Sequence, residues 1–253
     1  MQFSSLGSGS RGNATLIRAG DTCVLVDCGF SAQETERRLQ RLGTCAEDLA
    51  GILVTHEHAD HISGVARVAR KFGLTVWMTA GTRRAWKDGQ GVECEVFNPH
   101  QQLQIGHLKV EPFPVPHDAL EPCQYVFHAG DRKLGVISDA GAVTPFMARV
   151  LSHCDSLMLE CNHDVTMLQN GPYPPSLKTR VGGGLGHLNN EQAASLLDHQ
   201  DWGRLQHVVL THLSDKNNTP ELARQACAQR SGREPDWFGV ADQDAGFDWR
   251  EVS

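Results

Sequence analysis

Four side chains that can bind a metal ion lie within one short segment of the sequence. The segment 56–61, HEHADH, offers His56, His58, Asp60 and His61, and it directly follows the apolar run LAGILV, which is typical of a buried strand. Imidazole and carboxylate groups are ligands of Zn, Mn and Fe. Because core packing does not explain four such side chains in one loop, the pattern predicts a metal site at the end of this strand.

Three further candidate ligands each follow a strand-like run. His117 lies in PVPHDA, Asp139 follows LGVIS, and His212 follows HVVLT. Since strand ends can meet at one edge of a sheet, all three can reach the first segment. Each one alone is more simply interpreted as an ordinary core or surface residue. Together with HEHADH they predict one shared metal centre.

Short strands and helices alternate along the sequence. Two apolar runs separated by a turn at 19–21 predict an antiparallel hairpin. Gly and Pro predict an irregular loop over 170–186, followed by a helix over 190–199 that Asn189 can cap. Further helices are predicted over 31–43, 62–72, 144–151 and 220–229, and further strands over 49–54 and 156–160. Because strand-rich blocks are interleaved with helices, we expect a single domain over 1–253, with two sheets between helices.

Composition narrows the classes of protein. Of the 253 residues 40% are hydrophobic, which is enough for a sizeable core, yet no apolar run reaches the ~20 residues of a membrane span. The first residues lack the pattern of a secretory signal, so we expect no membrane partner. The net charge of -7 argues against coating nucleic acid by bulk electrostatics. Eight cysteines without a C-x-x-C pair favour reduced thiols in a cytoplasmic protein.

The seven candidate ligands together resemble the metallo-β-lactamase superfamily. The resemblance implies an α+β fold, a four-layer αββα sandwich with a two-metal site at one sheet edge. It also implies which residues hold each of two divalent ions per chain, Zn or Mn, with Fe as a further option. The first ion would be bound by His56, His58 and His117, the second by Asp60, His61 and His212, and Asp139 would bridge both.

The carboxylate at Asp139 favours hydrolysis over other chemistries of the superfamily. A carboxylate between two cations supports a metal-bridging hydroxide as the nucleophile. The superfamily's β-lactamases lack a carboxylate there, whereas its phosphodiester and thioester hydrolases have one. The redox branch resembles H-x-E-x-D-H, and this sequence has His58 at the position of that Glu.

Later motifs resemble a narrower group, the small bacterial WalJ (YycJ) metallohydrolases. The motifs are GSGSRGN at 7–13, ECNHD at 160–164, MLQNGPYP at 167–174, GHLNN at 186–190 and HLSDKNNTPEL at 212–222. This resemblance implies a 5′-to-3′ exonuclease with DNA as its substrate. The group's usual GHLSN is GHLNN here, so Asn189 stands where Ser is expected, and any role of that hydroxyl is in doubt.

The same motifs predict catalytic and substrate-binding residues. His187 in GHLNN and His163 in ECNHD are the two candidates for a general acid, beside the catalytic carboxylate Asp60. Ser8 and Asn13, in the Gly-rich opening, could place backbone N–H groups against a phosphate. Just before GHLNN, two cations could meet a nucleic-acid backbone: Lys178 and Arg180.

Other functions stay open on sequence alone. The metal ligands fit a hydrolase of a small phosphodiester equally well, or a thioesterase of the glyoxalase II kind, although little chain follows His212 to form such an enzyme's helical domain. A non-catalytic, metal-stabilised binding protein is a third option, which the complete ligand set disfavours. Oligomeric state is not readable from the sequence.

Overall fold

The computed structural model describes residues 1–253 and contains two seven-stranded sheets. The first sheet consists of β1 (Gln2–Gly7), β2 (Ala14–Ala19), β3 (Thr22–Val26), β4 (Gly51–Leu53), β5 (Thr75–Thr79), β6 (Cys94–Phe97) and β14 (Phe247–Glu251). The second consists of β7 (Leu103–Ile105), β8 (Leu108–Pro114), β9 (Cys123–Ala129), β10 (Arg132–Val136), β11 (Ser156–Glu160), β12 (His207–Thr211) and β13 (Gly239–Val240). The α-helices are α1 (Ala32–Arg41), α2 (Ala59–Ile62), α3 (Val65–Phe72), α4 (Ala80–Ala85), α5 (Pro145–Val150), α6 (Val165–Asn170), α7 (Pro175–Val181), α8 (Asn190–Ser195) and α9 (Pro220–Ser231).

Strand order explains how distant residues reach one edge. The first sheet has the order β14-β1-β2-β3-β4-β5-β6, and the predicted hairpin is confirmed as the antiparallel pair β2–β3. The second has the order β13-β12-β11-β10-β9-β8-β7, in which β10, β11, β12 and β13 are parallel neighbours. The carboxyl ends of parallel strands lie at one edge, where ligands collect in such sheets. The segments that follow β10, β11 and β12 therefore start from the same edge.

Apolar side chains of both sheets meet in a shared core. One buried cluster combines Phe3, Val24 and Leu53 of the first sheet with Phe127 and Val136 of the second. Two other buried clusters lie between each sheet and its helices. The layers are thus helix, sheet, sheet and helix, which confirms the α+β, four-layer αββα sandwich expected from the sequence.

The Gly/Pro-rich segment is more ordered than predicted. The expectation of an irregular loop over 170–186 is wrong for its middle part, because α7 covers Pro175–Val181, shortly after the end of α6. Pro175 occupies the first turn, where its missing N–H costs no hydrogen bond, and Asp164 caps α6 by accepting from the N–H of Met167. The predicted cap at Asn189 is confirmed, and it forms a capping box with Gln192.

The ends of the described chain lie in neighbouring strands, which sequence periodicity does not reveal. β1 pairs with β14, with Gln2 opposite Glu251. β1, with the sequence QFSSLG, shows no apolar alternation, and the five residues FDWRE of β14 alternate but are too few to indicate which strand they pair with. Among the described helices none is long and apolar enough to cross a membrane.

Candidate metal centre

The segment after β4 carries four of the predicted ligands to the sheet edge. His58 is the N-cap of α2, which places Asp60 and His61 on the first turn of that helix. His56 and His61 are fully buried. The chain around Asp27 packs closely on α2, since a Cβ at Gly29 would lie 1.9 Å from the carbonyl oxygen of Asp60.

His56, His58 and His117 form the first ligand group. Their ring centroids lie 4.6 to 4.9 Å apart, and His117 Nε2 is 3.2 Å from His58 Nδ1. His117 Nδ1 donates to the carbonyl of Gly186 at 2.8 Å, which fixes the tautomer and leaves Nε2 free for a metal. The three rings therefore present nitrogen atoms to one point, as a metal site requires.

Asp60, His61 and His212 form the second group. Asp60 Oδ2 is 3.5 Å from His61 Nε2 and 3.4 Å from His212 Nε2. His61 Nδ1 donates to Asp27 Oδ2 at 2.7 Å, so that its Nε2 faces the group. Asp27 also accepts from the N–H and hydroxyl of Thr55. Asp27 therefore supports His61 and Thr55 without being a ligand itself.

The Asp139 carboxylate lies between the two groups. Its Oδ2 is 2.7 Å from His61 Nε2 and 3.8 Å from His56 Nε2, and its Oδ1 is 3.0 Å from His212 Nδ1. Asp139 is almost completely buried. A carboxylate in this position can contact two cations at once.

The buried donor atoms fit divalent metal ions. His56 Nε2 and His212 Nε2 are buried without a hydrogen-bond partner, and both oxygens of the buried Asp139 carboxylate face imidazole nitrogens of the centre. Unsatisfied buried polar atoms are costly and rare in folded proteins, so a cluster of them indicates a missing ligand. All the donors are nitrogen or oxygen, which suits Zn, Mn or Fe. The seven predicted ligands are brought together at one place.

Hydrogen bonds prepare the His56 ring for metal binding. The Thr55 hydroxyl donates its only proton to Asp27, so His56 Nδ1, 2.9 Å away, must donate to the Thr55 oxygen. His56 Nε2 therefore keeps its lone pair. Burial also lowers the pKa of His56 well below its usual value, which keeps the ring neutral.

Burial and neighbouring charges have opposite effects on the pKa values of His61 and Asp139. At His61, burial disfavours protonation, but nearby carboxylates, of which Asp139 has the largest effect, hold the pKa well above its usual value. At Asp139, burial favours the neutral acid, but His212 and His61 hold the pKa well below its usual value. The carboxylates and the His61 and His212 imidazoles therefore attract one another strongly, and a cation that binds these imidazole nitrogens would displace their protons.

Two turns at the metal centre have an unusual backbone conformation. His212 and Asp27 adopt positive φ angles of 54° and 60°. Such left-handed conformations cost energy for residues other than glycine and occur often at functional sites. His212 is held there because its N–H donates to Ser8 Oγ and its carbonyl accepts from Asn162 Nδ2.

A buried glutamate, which we did not single out from the sequence, joins the centre through His187. Glu160 ends β11 and is fully buried, and its Oε1 is 2.8 Å from His187 Nδ1. Its Oε2 accepts from the N–H groups of Ala140 and Leu188. Its position at the end of a strand, like that of Asp139, was the available signal, but one Glu among many carries little information.

His187 lines the cavity above the centre. Its Nδ1 also lies 2.8 Å from Asp139 Oδ1, and a fifth of its side chain is exposed. Burial lowers its affinity for a proton, but Glu160 and Asp139 outweigh burial and raise the pKa of His187 to about 9. The structure thus places this predicted general acid beside the metal ligands.

His163 and Lys178 lie outside this cavity. Both line a separate cavity of about 560 Å³ on the other side of α7. Burial lowers the pKa of His163 to about 4, and Lys178 Nζ donates to the carbonyl of Gln169. Neither residue belongs to a ligand group of the centre. A catalytic role for His163 and a backbone contact for Lys178 stay predictions that this placement does not favour.

Arg180 lies at the mouth of the metal cavity, on α7 instead of in the predicted loop. Its Nε donates to Asp118 Oδ2 at 2.5 Å, and more than half of the side chain is exposed. The carbonyl of Asp118 accepts from His58 Nε2 at 3.2 Å. Arg180 is therefore a cation within reach of an anion that enters the centre.

Ser8 and Asn13 are buried, and they contact the segments that carry the candidate metal ligands. Ser8 donates to Asn13 Oδ1 and accepts from the N–H of His212. The Asn13 amide lies 3.1 Å from His61 Nε2 and 3.4 Å from Asp60 Oδ2. These contacts assign the two side chains a supporting position, and their predicted contact with a phosphate stays a prediction.

The cavity above the centre has a volume of about 330 Å³. Asp60, Asp139, His187 and His212 form its polar side. The lining also includes Tyr173, Leu177 and Val181, none of which we predicted as site residues.

Comparisons with known proteins agree with this geometry. A model of the family described as "Beta-lactamase superfamily domain" matches residues 22–213. The chain is 38% identical to the exodeoxyribonuclease YycJ of Bacillus anthracis, over 96% of this chain and 92% of that protein. It is 32% identical to the exodeoxyribonuclease WalJ of Streptococcus pneumoniae, over 98% of this chain and 92% of that protein. The solved metallo-beta-lactamase fold protein YhfI from Bacillus subtilis has the same fold, with a TM-score of 0.75 over 99% of both chains at 18% identity.

Proposed function

The chain belongs to the metallo-β-lactamase superfamily and, within it, to the group of the YycJ and WalJ proteins, and from this premise we propose that it is a two-metal phosphodiester hydrolase that degrades DNA from the 5′ end. The observation that carries the proposal is the buried Asp139 carboxylate between two ligand groups, with Oδ2 2.7 Å from His61 Nε2 and 3.8 Å from His56 Nε2. The names of the two relatives support the choice of DNA.

Different residues of the chain would bind each of the two cations. His56, His58 and His117 would hold one cation, Asp60, His61 and His212 the other, and Asp139 would contact both. Two divalent ions bound there would supply an activated water molecule and neutralise the phosphodiester. The protein's part is to fix the ligands, as the hydrogen bonds from His61 to Asp27 and from His117 to Gly186 do.

His187 is the residue we assign to the leaving oxygen. Its Nδ1 is fixed by Glu160, and its ring lines the cavity. A proton on the opposite nitrogen could be given to the departing 3′ oxygen as the phosphodiester breaks. Arg180, exposed at the cavity mouth, would contact a neighbouring phosphate once its contact with Asp118 opens.

The test is a nuclease assay on metal-depleted protein with Mn or Zn added back. Substrates are single-stranded and double-stranded DNA labelled at the 5′ or the 3′ end, a matched RNA, bis-p-nitrophenyl phosphate and a thioester. We expect metal-dependent release of nucleotides from the 5′ end of DNA. Cleavage of RNA, of the generic ester or of the thioester without action on DNA would move the substrate to that class.

The Asp139→Ala variant tests the bridging role. It should abolish hydrolysis and reduce bound metal from about two equivalents to about one, because one carboxylate contacts both cations. The matched control is Asp236→Ala, which removes a carboxylate that is 98% exposed and should change neither quantity. Full activity of Asp139→Ala would refute the bridging assignment.

A further inference from the structure

Part of the lining of the metal cavity has no role in binding metal and is apolar. Tyr173, Leu177 and Val181 contribute to it, in addition to the acidic and histidine side chains. The Tyr173 side chain is half-buried and belongs to none of the three apolar clusters of the core. Packing of the core therefore does not explain an aromatic ring at this position.

Two exposed apolar side chains lie on loops next to the metal centre. Leu120 and Leu185 are among the few large hydrophobic residues with more than half of their surface exposed. They lie on the loops that carry His117 and His187, and those loops meet where His117 donates to Gly186. Apolar side chains in and near a centre proposed to bind phosphate suit a ligand that combines an anion with a flat, poorly hydrated ring.

The backbone at Tyr173 is restricted. Tyr173 lies between Pro172 and Pro174, which limit the backbone on both sides, and α7 starts directly afterwards. At the base of the segment Gly171 packs closely on Asn217, since a Cβ there would lie 2.5 Å from Asn217 Oδ1. A ring on a restricted backbone loses less entropy when it contacts a ligand.

The size of the cavity limits what can enter. Its volume of about 330 Å³ lies at the small end of small-molecule sites, which start at about 300 Å³. A cavity of this size holds one small molecule, so a base-paired end would have to separate before its terminal nucleotide enters. One nucleotide, separated from its neighbours and its partner strand, is the largest unit that the cavity can accept.

We propose that Tyr173 stacks on the base of a nucleotide that flanks the cleaved phosphodiester, so that the centre acts on an unpaired strand end. This inference rests on the proposed function and adds a substrate class to it, single-stranded ends. Stacking on an aromatic ring tolerates every base, since each base has a π face. Tyr173 is thus a specificity residue that contacts substrate and takes no part in proton transfer.

The experiment removes the base and the ring separately and then together. Single-stranded oligonucleotides carry an abasic unit at the first or the second position, and kcat/KM is measured for the native protein and for Tyr173→Ala. Removing one base per strand or removing the Tyr173 ring should each lower kcat/KM by about 5- to 150-fold. The two losses should not add, because both remove the same contact.

Conservative variants and a matched control complete the design. Tyr173→Phe and Tyr173→Trp should retain most of the rate on normal DNA, since they keep a flat ring. Val96→Ala removes an exposed apolar side chain on β6, which does not line the cavity, and should behave as the native protein. Blunt duplex ends should react at least about tenfold more slowly than single strands, because the end must first unpair.

The results separate two kinds of failure. If the native protein leaves all DNA intact, the proposed function falls and this inference falls with it. If DNA is hydrolysed but Tyr173→Ala loses as much rate on the abasic strands as on normal ones, the proposed function stands and the stacking role is overturned. A loss in Tyr173→Phe equal to that in Tyr173→Ala would likewise overturn it, because the ring would then not be the cause.

Discussion

At the scale of single residues, the centre is prepared by partners that are not ligands themselves. Thr55, Asp27 and Gly186 each occupy the outer nitrogen of a histidine, so that the inner nitrogen faces the metal position. Such partners orient the rings and commonly affect metal affinity by 10- to 100-fold. Sequence spacing identifies the ligands more readily than it identifies these partners.

Asp27→Asn tests this support. The change replaces the carboxylate that accepts from His61 Nδ1 with a neutral amide, so we expect metal affinity to fall by about 10- to 100-fold. Competition with a chelator of known affinity measures it. Asp21→Asn, at a side chain that is 90% exposed, is the control. Equal affinity in both variants would contradict the role of Asp27.

His187→Ala tests the assigned general acid. We expect kcat to fall by about 10²- to 10⁴-fold with metal content unchanged, because the variant loses a proton donor and keeps the ligands. Glu160→Gln should lower kcat in the same direction, since Glu160 fixes the His187 ring. Metal analysis of the purified variants decides the matter: loss of metal from His187→Ala would make His187 a ligand instead.

At the scale of elements, how well the sequence predicts structure depends on whether the signal is local. The hairpin β2–β3 and the helix cap at Asn189 were predictable, because alternation and capping act between near neighbours. The pairing of β1 with β14 was not, because it joins segments that are distant in sequence. The same holds for Glu160, which becomes a site residue only when β11 is placed between β10 and β12.

Helix α1 contacts the segments around Leu6 and Gln243 through one buried cation, Arg38. Arg38 donates to the carbonyls of Leu6 and Gln243 and to Glu34 Oε1. Its side chain is only 7% exposed, so loss of the carboxylate would leave a charge poorly compensated. We expect Glu34→Gln to lower the free energy of unfolding by about 1–2 kcal/mol at pH 7, measured by urea denaturation.

The pH dependence of this effect has a fixed sign. Arg37 and Arg38 lower the pKa of Glu34 to about 2, so its contribution is complete above its ordinary pKa of about 4.3 and is lost as the pH falls towards 2. The difference between native protein and Glu34→Gln should therefore shrink over that range. Glu36→Gln, which breaks an exposed contact with Lys71, should cost less than about 1 kcal/mol. A constant difference at all pH values would contradict the assignment.

At the scale of the whole molecule, the metal centre joins the two sheets. His56 to His61 follow β4 of the first sheet, whereas Asp139 and His212 follow β10 and β12 of the second. With the shared apolar core, this arrangement supports our proposal that residues 1–253 form a single domain. Bound metal should thus stabilise both sheets together.

Metal removal tests this coupling. Free metal at 100 times its dissociation constant stabilises a folded protein by about 2.7 kcal/mol, so chelation should lower Tm. Far-UV and near-UV circular dichroism should report the same midpoint, with and without metal, if the chain unfolds as one unit. Two separate transitions would contradict a single domain, and an unchanged Tm would contradict the coupling of metal to the fold.

The hydrogen bond from the N–H of His212 to Ser8 has a consequence for how the protein is made. It joins two positions that are separated by 204 residues, and it holds a ligand in a strained backbone conformation. During synthesis, the first-group histidines emerge from the ribosome long before His212 does. The nascent chain therefore offers only part of a cation site, and full loading must wait until the segment around residue 212 has folded back onto the residues made first.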